Sequence, residues 1–263
     1  MKADYKNWVP KGMIYGMLAG TVGLAAAYVG ADRLTKNACK EVRIGAKGVI
    51  GAGLFGCGAM TAWCVTAHKR FSYDGERQMS RRIVEGTAEY ITLPEGGIGL
   101  DVGCGSGALT IACAKRNPQG TFVGIDRWGK EYASFNKELC ENNAKAEGVP
   151  NVSFHSGDAM ELDFEDETFD AVTSNYVYHN ITGVDKQELL RETLRVLKKG
   201  GTFAIHDIMS RSRYGDMQKF IEELKSEGYE EVMLIPTDNG KFMSKLEGTL
   251  MMLGGSAILA GRK

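Results

Sequence analysis

The stretch GLDVGCGSGALTI, Gly99–Ile111, sets three glycines at alternate positions directly after an apolar run that already holds an acid. Such a run followed by Gly103, Gly105 and Gly107 reads as a strand, a tight turn and the start of a helix. Gly103 and Gly105 suit the turn and a close backbone approach, and Gly107 lets the following helix pack against its strand. The helix opening near Gly107 offers unpaired N–H groups and a positive dipole end, a setting for a carboxylate or phosphate.

Outward from this turn, short apolar runs alternate with longer amphipathic ones. The helical stretch DGERQMSRRIVEGTAEYI precedes the strand GIGLDVG, which is followed by the helix GALTIACAKRN and the strand TFVGID. Then come the helix KEYASFNKELCENNAKAEG, the strands VSFHSGD and FDAVTSN, the helix KQELLRETLRVLKKG and the strand TFAIHDI. The alternation predicts βαβ units and a doubly wound parallel sheet covered on both faces. The closing runs GYEEVMLIP and SAILAGRK predict an antiparallel hairpin at the sheet edge. Ligands of such sheets bind at the carboxyl ends of the strands.

The first part of the chain is of another kind. Residues 12–31 and 48–67 are two runs of twenty residues without a charge, each long enough as a helix to span about 30 Å. The polar segment DRLTKNACKEVRIGAK between them makes a helical hairpin the natural reading. Small residues recur at Gly12, Gly16 and Gly20 and at Gly48, Ala52 and Gly56, faces suited to close helix packing in lipid. The expected organisation is a hydrophobic hairpin over residues 1–68, a membrane anchor, and an α/β domain over 69–263; a hairpin buried against the domain is the competing reading. Eight Lys and Arg flank the hairpin ends against five in its loop, which favours both ends on the cytoplasmic side.

Composition excludes other classes. With 32 Lys and Arg against 33 Asp and Glu in 263 residues, the net charge of −1 gives no electrostatic reason to expect nucleic acid. The six cysteines form no C-x-x-C pair and lack a histidine cluster, which argues against a disulfide framework or a structural metal.

The glycine turn alone does not choose its ligand. Gly103–Ala108 also satisfies G-x-G-x-x-A, and Asp126 lies at the distance where a dinucleotide fold holds a ribose, so a nicotinamide cofactor is a rival on that evidence. Three features count against it: Asp101 where such folds carry an apolar residue, the acid of SGDA (Ser156–Ala159) at the third strand's end, and the two closing strands.

With these motifs in order, the sequence from about Phe71 to Lys263 resembles the small-molecule branch of the class I S-adenosylmethionine-dependent methyltransferases. LDVGCGSG is similar to the family's first motif, VGID to its ribose-binding strand end and SGDA to its adenine contact. FDAVTSNYVYHNI and LLRETLRVLKKGGTFAIHDI resemble its fourth and fifth strand regions, and the wording GIDRW and HNI is closest to a bacterial subgroup. The resemblance implies a seven-stranded, mostly parallel Rossmann-like sheet preceded by the two-helix hairpin, with S-adenosyl-L-methionine as cofactor. It places the methionine part at Gly103, Gly105 and Gly107 with Asp101 near the ammonium group. Asp126, with Arg127 beside it, takes the ribose hydroxyls, Trp128 the adenine face, and Asp158 and the Ala159 N–H the adenine edge. Asn175 lines the methyl channel, and Tyr73 or Tyr176 faces the sulfonium, a cation suited to an aromatic ring.

Duller roles compete at several positions: Asp101 bracing the loop, Trp128 in plain packing, Asp158 capping a turn and Cys104 filling space. Methyl transfer needs a general base only where the acceptor must lose a proton. His179 is the candidate best placed, with Tyr176, Tyr178 and His206 behind it. NYVY matches Asn175 and Tyr178 of an N-P-P-Y pattern in spacing but lacks both prolines, so nucleic-acid methylation is not expected. The acceptor expected is a small molecule, a hydrophobic one if the hairpin is an anchor. The apolar cluster Phe242, Met243, Leu246, Leu250, Met251, Met252 and Leu253 either lines its pocket, touches lipid or is ordinary core. A membrane-tethered module that binds the cofactor without catalysis is the alternative.

Overall fold

A computed structural model describes residues 2–129 and 134–263. The chain divides into two compact units, one of Lys6–Ser80 and one of Met1–Tyr5 with Arg81–Lys263.

The Lys6–Ser80 unit is built on two long helices, α1 (Lys11–Leu34) and α2 (Lys40–Phe71). Both outrun the uncharged stretches because most of the charged connecting segment is itself helical, its Ala, Lys, Glu and Arg being good helix formers. The packed face takes in Gly20 from the repeating small residues but not the other glycines of that spacing. A Cβ on Gly20 would meet Cys57 Sγ and one on Gly51 the Tyr28 ring, whereas Gly12, Gly16, Gly48 and Gly56 face open space. Thr21 and Thr61 share a hydroxyl hydrogen bond of 3.0 Å across the pair. At the far end of α2, Val9 O lies 2.7 Å from His68 Nδ1 and Trp8 packs on Phe71.

The larger unit holds a seven-stranded sheet of order β3-β2-β1-β4-β5-β7-β6. Its strands are β1 (Ile98–Val102), β2 (Thr121–Asp126), β3 (Val152–Ser156), β4 (Phe169–Asn175), β5 (Leu197–Ile208), β6 (Glu230–Pro236) and β7 (Ser256–Arg262). The first five run parallel, and β7 lies antiparallel between β5 and β6. The closing hairpin therefore enters the sheet with its second strand inside and its first at the edge. Helices α3 (Met79–Ala88), α4 (Ala108–Arg116), α5 (Lys137–Ala146), α6 (Lys186–Arg195), α7 (Arg211–Tyr214), α8 (Met217–Ser226) and α9 (Lys245–Leu250) fill the connections.

Local chemistry sets several boundaries. Asn136 accepts from Leu139 N and Asp185 from Gln187 N, starting α5 and α6, and Ser244 with Glu247 forms a capping box at α9. The helix expected from Lys130 begins only at Lys137, and residues 130–133 lie outside those described. The stretch LKKG, expected to finish α6, instead belongs to β5, where a register irregularity between Phe169 and Ala171 absorbs it. The core is shared by Leu100, Val102, Val172, Phe203, Ile205 and Leu259 of the sheet and Leu190, Phe220 and Leu224 of the helices. Of the apolar cluster near the C-terminus, Phe242, Met243, Met251 and Leu253 are buried and Leu246, Leu250 and Met252 are exposed.

Candidate functional site

The carboxyl ends of β1, β2, β4 and β5 come together in register: Val102 opposite Ile125 and Ser174, and Asn175 opposite His206. The glycine turn closes over this edge. Gly103 N and Cys104 N both donate to Ile125 O, and Gly107 N returns to Cys104 O. Gly103, with φ of 73°, is demanded by crowding, because a Cβ there would lie 2.3 Å from Val177 Cγ2. Gly105, with φ of 56°, differs: a Cβ there would enter open space. Its bare backbone is a cradle rather than a packing contact.

Three groups hold that cradle. Gly105 N donates to Asp126 Oδ2 at 2.9 Å, and Gly105 O accepts from Trp128 Nε1 at 3.1 Å and from Cys140 Sγ at 3.2 Å. Trp128, with φ of 43°, turns the chain so that its own N–H reaches Asp126 Oδ1 at 2.7 Å. Each Asp126 oxygen thus accepts one backbone bond and keeps a lone pair for another. Buried Asn143 donates to Ser106 O at 2.9 Å and to Asp4 O at 3.1 Å, and so ties the N-terminal residues to the turn.

Asp101 lies under the turn, 1% exposed, accepting from the Thr110 hydroxyl at 2.5 Å. Burial pushes its carboxyl up to about 7, against the pull of the Thr110 bond. At the end of β3, Asp158 Oδ1 accepts from Met160 N at 2.9 Å, and Ala159 packs against the core. Arg127 is exposed. Tyr73 belongs to the Lys6–Ser80 unit, not to the one that carries these residues.

Beyond β4 the chain turns sharply. Tyr176 takes φ of 55°, uncommon for an aromatic residue, and a short 3₁₀ turn over Tyr178–Asn180 follows. This turn sends neighbouring side chains in opposite senses. Tyr178 enters the core, its hydroxyl 2.5 Å from Thr193 Oγ1, which removes it as a base. His179 stays at the surface of the site, with Nδ1 2.6 Å from Asp207 Oδ1 and its backbone N–H 3.0 Å from Oδ2. Burial acts to raise the Asp207 carboxyl, but the hydrogen bond and charge of His179 and the Ile208 N–H outweigh it and hold it below the usual range. The buried carboxylate orients the ring with Nδ1–H inward and leaves Nε2 as the basic nitrogen. Tyr176 bonds Ser256 Oγ at 2.8 Å, and burial raises its hydroxyl far above neutral. His206 is buried with both nitrogens engaged, and burial pushes it down to about 3, so it is no base near neutrality.

Asp207, Thr110, Asn143 and Cys140 were not assigned roles from the sequence. Only Asp207 had a signal, the acid of HDI at the end of a buried strand; the others act through contacts between distant segments. The donor set fits S-adenosylmethionine: an open glycine cradle, a carboxylate with two free lone pairs beside it and a further acid at the next strand end.

A methyltransferase domain profile matches residues 95–248, more than half of the chain. A 2-phytyl-1,4-naphthoquinone methyltransferase of Thermosynechococcus vestitus is 34% identical over 120 residues, 45% of this chain and 49% of that protein. A demethylmenaquinone methyltransferase of Staphylococcus aureus is 41% identical over 104 residues, 39% of each chain. The matches thus span about half the length of these relatives or less. Among solved structures, the [4+2]-cyclase SpnF superposes with a TM-score of 0.54 at 21% identity, covering 71% of this chain and 82% of its own, a likeness of fold. Profile, sheet order and glycine cradle agree, and the chain belongs to the class I S-adenosylmethionine-dependent methyltransferase family.

Proposed function

We propose that the protein transfers a methyl group from S-adenosylmethionine to a small hydrophobic acceptor of the quinone class in its reduced, hydroxylated form. The observation that carries this reading is the His179–Asp207 pair at the ends of β4 and β5, on the same sheet edge as the glycine cradle. The relatives named as methyltransferases of 2-phytyl-1,4-naphthoquinone and demethylmenaquinone support the acceptor class. When bound, the cofactor supplies an electrophilic methyl on a sulfonium, so the chain need only position, deprotonate and exclude water. Gly105, with no Cβ to fill the open space before it, lets the methionine part lie against the turn, and Asp101 sits beneath it toward the ammonium group. Asp126 accepts from the ribose hydroxyls, Trp128 covers the adenine, and Asp158 with the Ala159 N–H reads its edge. His179 Nε2 takes the proton of an acceptor hydroxyl, and Asp207 stabilises the imidazolium that forms.

Residues 1–68 serve as a membrane anchor and 69–263 as the catalytic domain. Two helices long and apolar enough to cross a bilayer support this, as do their exposed Tyr15, Val29, Val49 and Phe55. The charge balance favours the catalytic domain on the cytoplasmic face.

The test is direct: the detergent-extracted full chain is incubated with methyl-labelled cofactor and reduced 1,4-naphthoquinone or total cell lipid, and labelled products are separated. A labelled aromatic product is expected. Tight cofactor binding with no S-adenosylhomocysteine released by any acceptor pool would show a binding module instead.

A further inference from the structure

Three polar side chains from three different strands or strand ends stand in a line beside the site. Thr237, just past β6, has Oγ1 2.9 Å from His206 Nε2, and His206 Nδ1 is 2.8 Å from Asn175 Oδ1. Thr237 and His206 are fully buried, whereas Asn175 is half-buried at the end of β4. Among the described residues the Thr237 hydroxyl has His206 as its hydrogen-bond partner, and Asn175 Nδ2 has none, although it is not sealed from solvent.

This line has one arrangement that satisfies every member. Burial keeps the His206 ring neutral near physiological pH, so it carries a single N–H. Were that proton on Nε2, the buried Thr237 hydroxyl would accept from the ring and its own proton would lack an acceptor, at a cost of about 1–3 kcal/mol. With the proton on Nδ1, Thr237 donates to Nε2 and Nδ1 donates to Asn175 Oδ1. The amide is thereby pinned by its oxygen, and its two N–H donors are turned away from the ring, toward the unsealed side.

We propose that Asn175 presents this amide N–H to an oxygen of the methyl acceptor that becomes negatively charged, and that His206 and Thr237 are positioning residues which set its orientation. The inference rests on the methyltransferase reading and narrows it. The site takes acceptors whose reacting atom is, or is conjugated to, a hydroxyl oxygen, such as a phenol, hydroquinone or enol. Amines and thiols have no such oxygen. When His179 Nε2 takes the hydroxyl proton, the electron pair stays on that oxygen, and a preorganised donor stabilises it most strongly as charge develops. A flipped amide would aim its own oxygen at the anion and repel it. The ring of Tyr176 packs against both histidines, with centroids 5.8 Å from His179 and 4.6 Å from His206, so the donor and the base share one wall.

The test uses the full chain in detergent. With ¹⁵N-labelled histidine, long-range proton–nitrogen spectra are expected to show His206 as the Nδ1–H tautomer; an Nε2–H pattern overturns the proposal. With reduced 1,4-naphthoquinone as acceptor, Asn175→Asp should lower kcat by about 10²–10³ and Thr237→Val by roughly ten- to a hundred-fold, each with unchanged affinity for S-adenosylhomocysteine. Thr237→Ser, which keeps the hydroxyl proton, should restore kcat to within about twofold. Parent-like kcat in Asn175→Asp, or failure of Thr237→Ser to outperform Thr237→Val, overturns it. If the parent binds S-adenosylhomocysteine yet methylates nothing, the methyltransferase reading fails by itself. The histidine spectrum and the affinity for reduced 1,4-naphthoquinone, expected to fall in Asn175→Asp, then decide the amide's role.

Discussion

His179 Nδ1 lies 2.6 Å from Asp207 Oδ1, although 28 residues of chain separate them. The carboxylate also accepts the His179 backbone N–H, so ring and backbone are held by one buried group. Replacing Asp207 with Asn removes the charge and lets the amide donate to Nδ1, which moves the ring proton to Nε2. Asp207→Asn should lower kcat by about 10²–10⁴ while cofactor affinity holds. Steady-state rates paired with calorimetry of S-adenosylhomocysteine check this; parent-like turnover would remove the base assignment.

Asp126 holds both Gly105 N and Trp128 N, and on the proposed reading it also contacts the cofactor. Asp126→Ala frees the backbone N–H groups of Gly105 and Trp128 and should remove the two proposed ribose hydrogen bonds. Loss of the ribose bonds alone costs about 2–4 kcal/mol, so cofactor affinity should fall roughly thirty- to a thousand-fold. Calorimetry reporting an unchanged Kd would exclude Asp126 from the site.

The two glycines of the turn should separate folding from binding. Gly103→Ala drives a methyl into Val177 at a positive φ and should lower stability by roughly 2–4 kcal/mol. Gly105→Ala meets no atom, so its cost is about the left-handed penalty of 1–2 kcal/mol, yet cofactor affinity should drop at least about tenfold. Thermal melts and cofactor titrations of both variants distinguish the two; equal profiles would contradict the cradle.

Asp101 predicts a pH signature of the free protein. Its folded carboxyl is raised from 3.8 to about 7, so the folded state holds a proton that the unfolded chain releases. This contribution to stability is fully present below pH ~4 and is lost as pH rises to about 7, by roughly 4 kcal/mol at most. Asp101→Asn should flatten that dependence and stabilise the free protein at pH 8; on the proposed reading, in which Asp101 faces the ammonium group, it should also weaken cofactor binding. Denaturant melts between pH 5 and 8 measure it; a parent and variant with parallel profiles would contradict the shift.

The hairpin offers a topological measurement. Cys39 caps the start of α2 and is exposed, whereas Cys64, Cys104, Cys113 and Cys140 are buried. With both hairpin ends in the cytosol, an impermeant thiol reagent should label Cys39 from outside intact cells, and the full chain should need detergent for extraction. Protection of Cys39 in a chain soluble without detergent would make α1 and α2 ordinary protein helices.

Much of the fold was legible because period and punctuation are local. FDAVTSN is strand β4 to the residue, and the turn after GLDV is glycine-built as the alternate spacing demands. Boundaries that depended on remote contacts were not legible. Leu197, Lys198 and Lys199 continue a helix by propensity, yet pairing with β4 draws the segment into β5. Of the repeating glycines, Gly20 alone meets the partner helix, at Cys57, and Gly51 from outside the repeat joins it against Tyr28.

The sequence by itself determined the strand–turn–helix at Gly99–Ile111, the parallel alternation around it, the two apolar helices and the acids at the strand ends. Each is written in neighbouring residues, through hydrophobic period, glycine freedom and position relative to a strand. Only the tertiary structure decided which histidine stays at the site's surface and which is buried. His179 and His206 both lie near strand ends, but the turn through Tyr176 leaves one facing Asp207 at the edge and buries the other between Asn175 and Thr237. Burial and partners are sums over segments far apart in the chain, and a histidine's proton follows those sums rather than its neighbours in sequence.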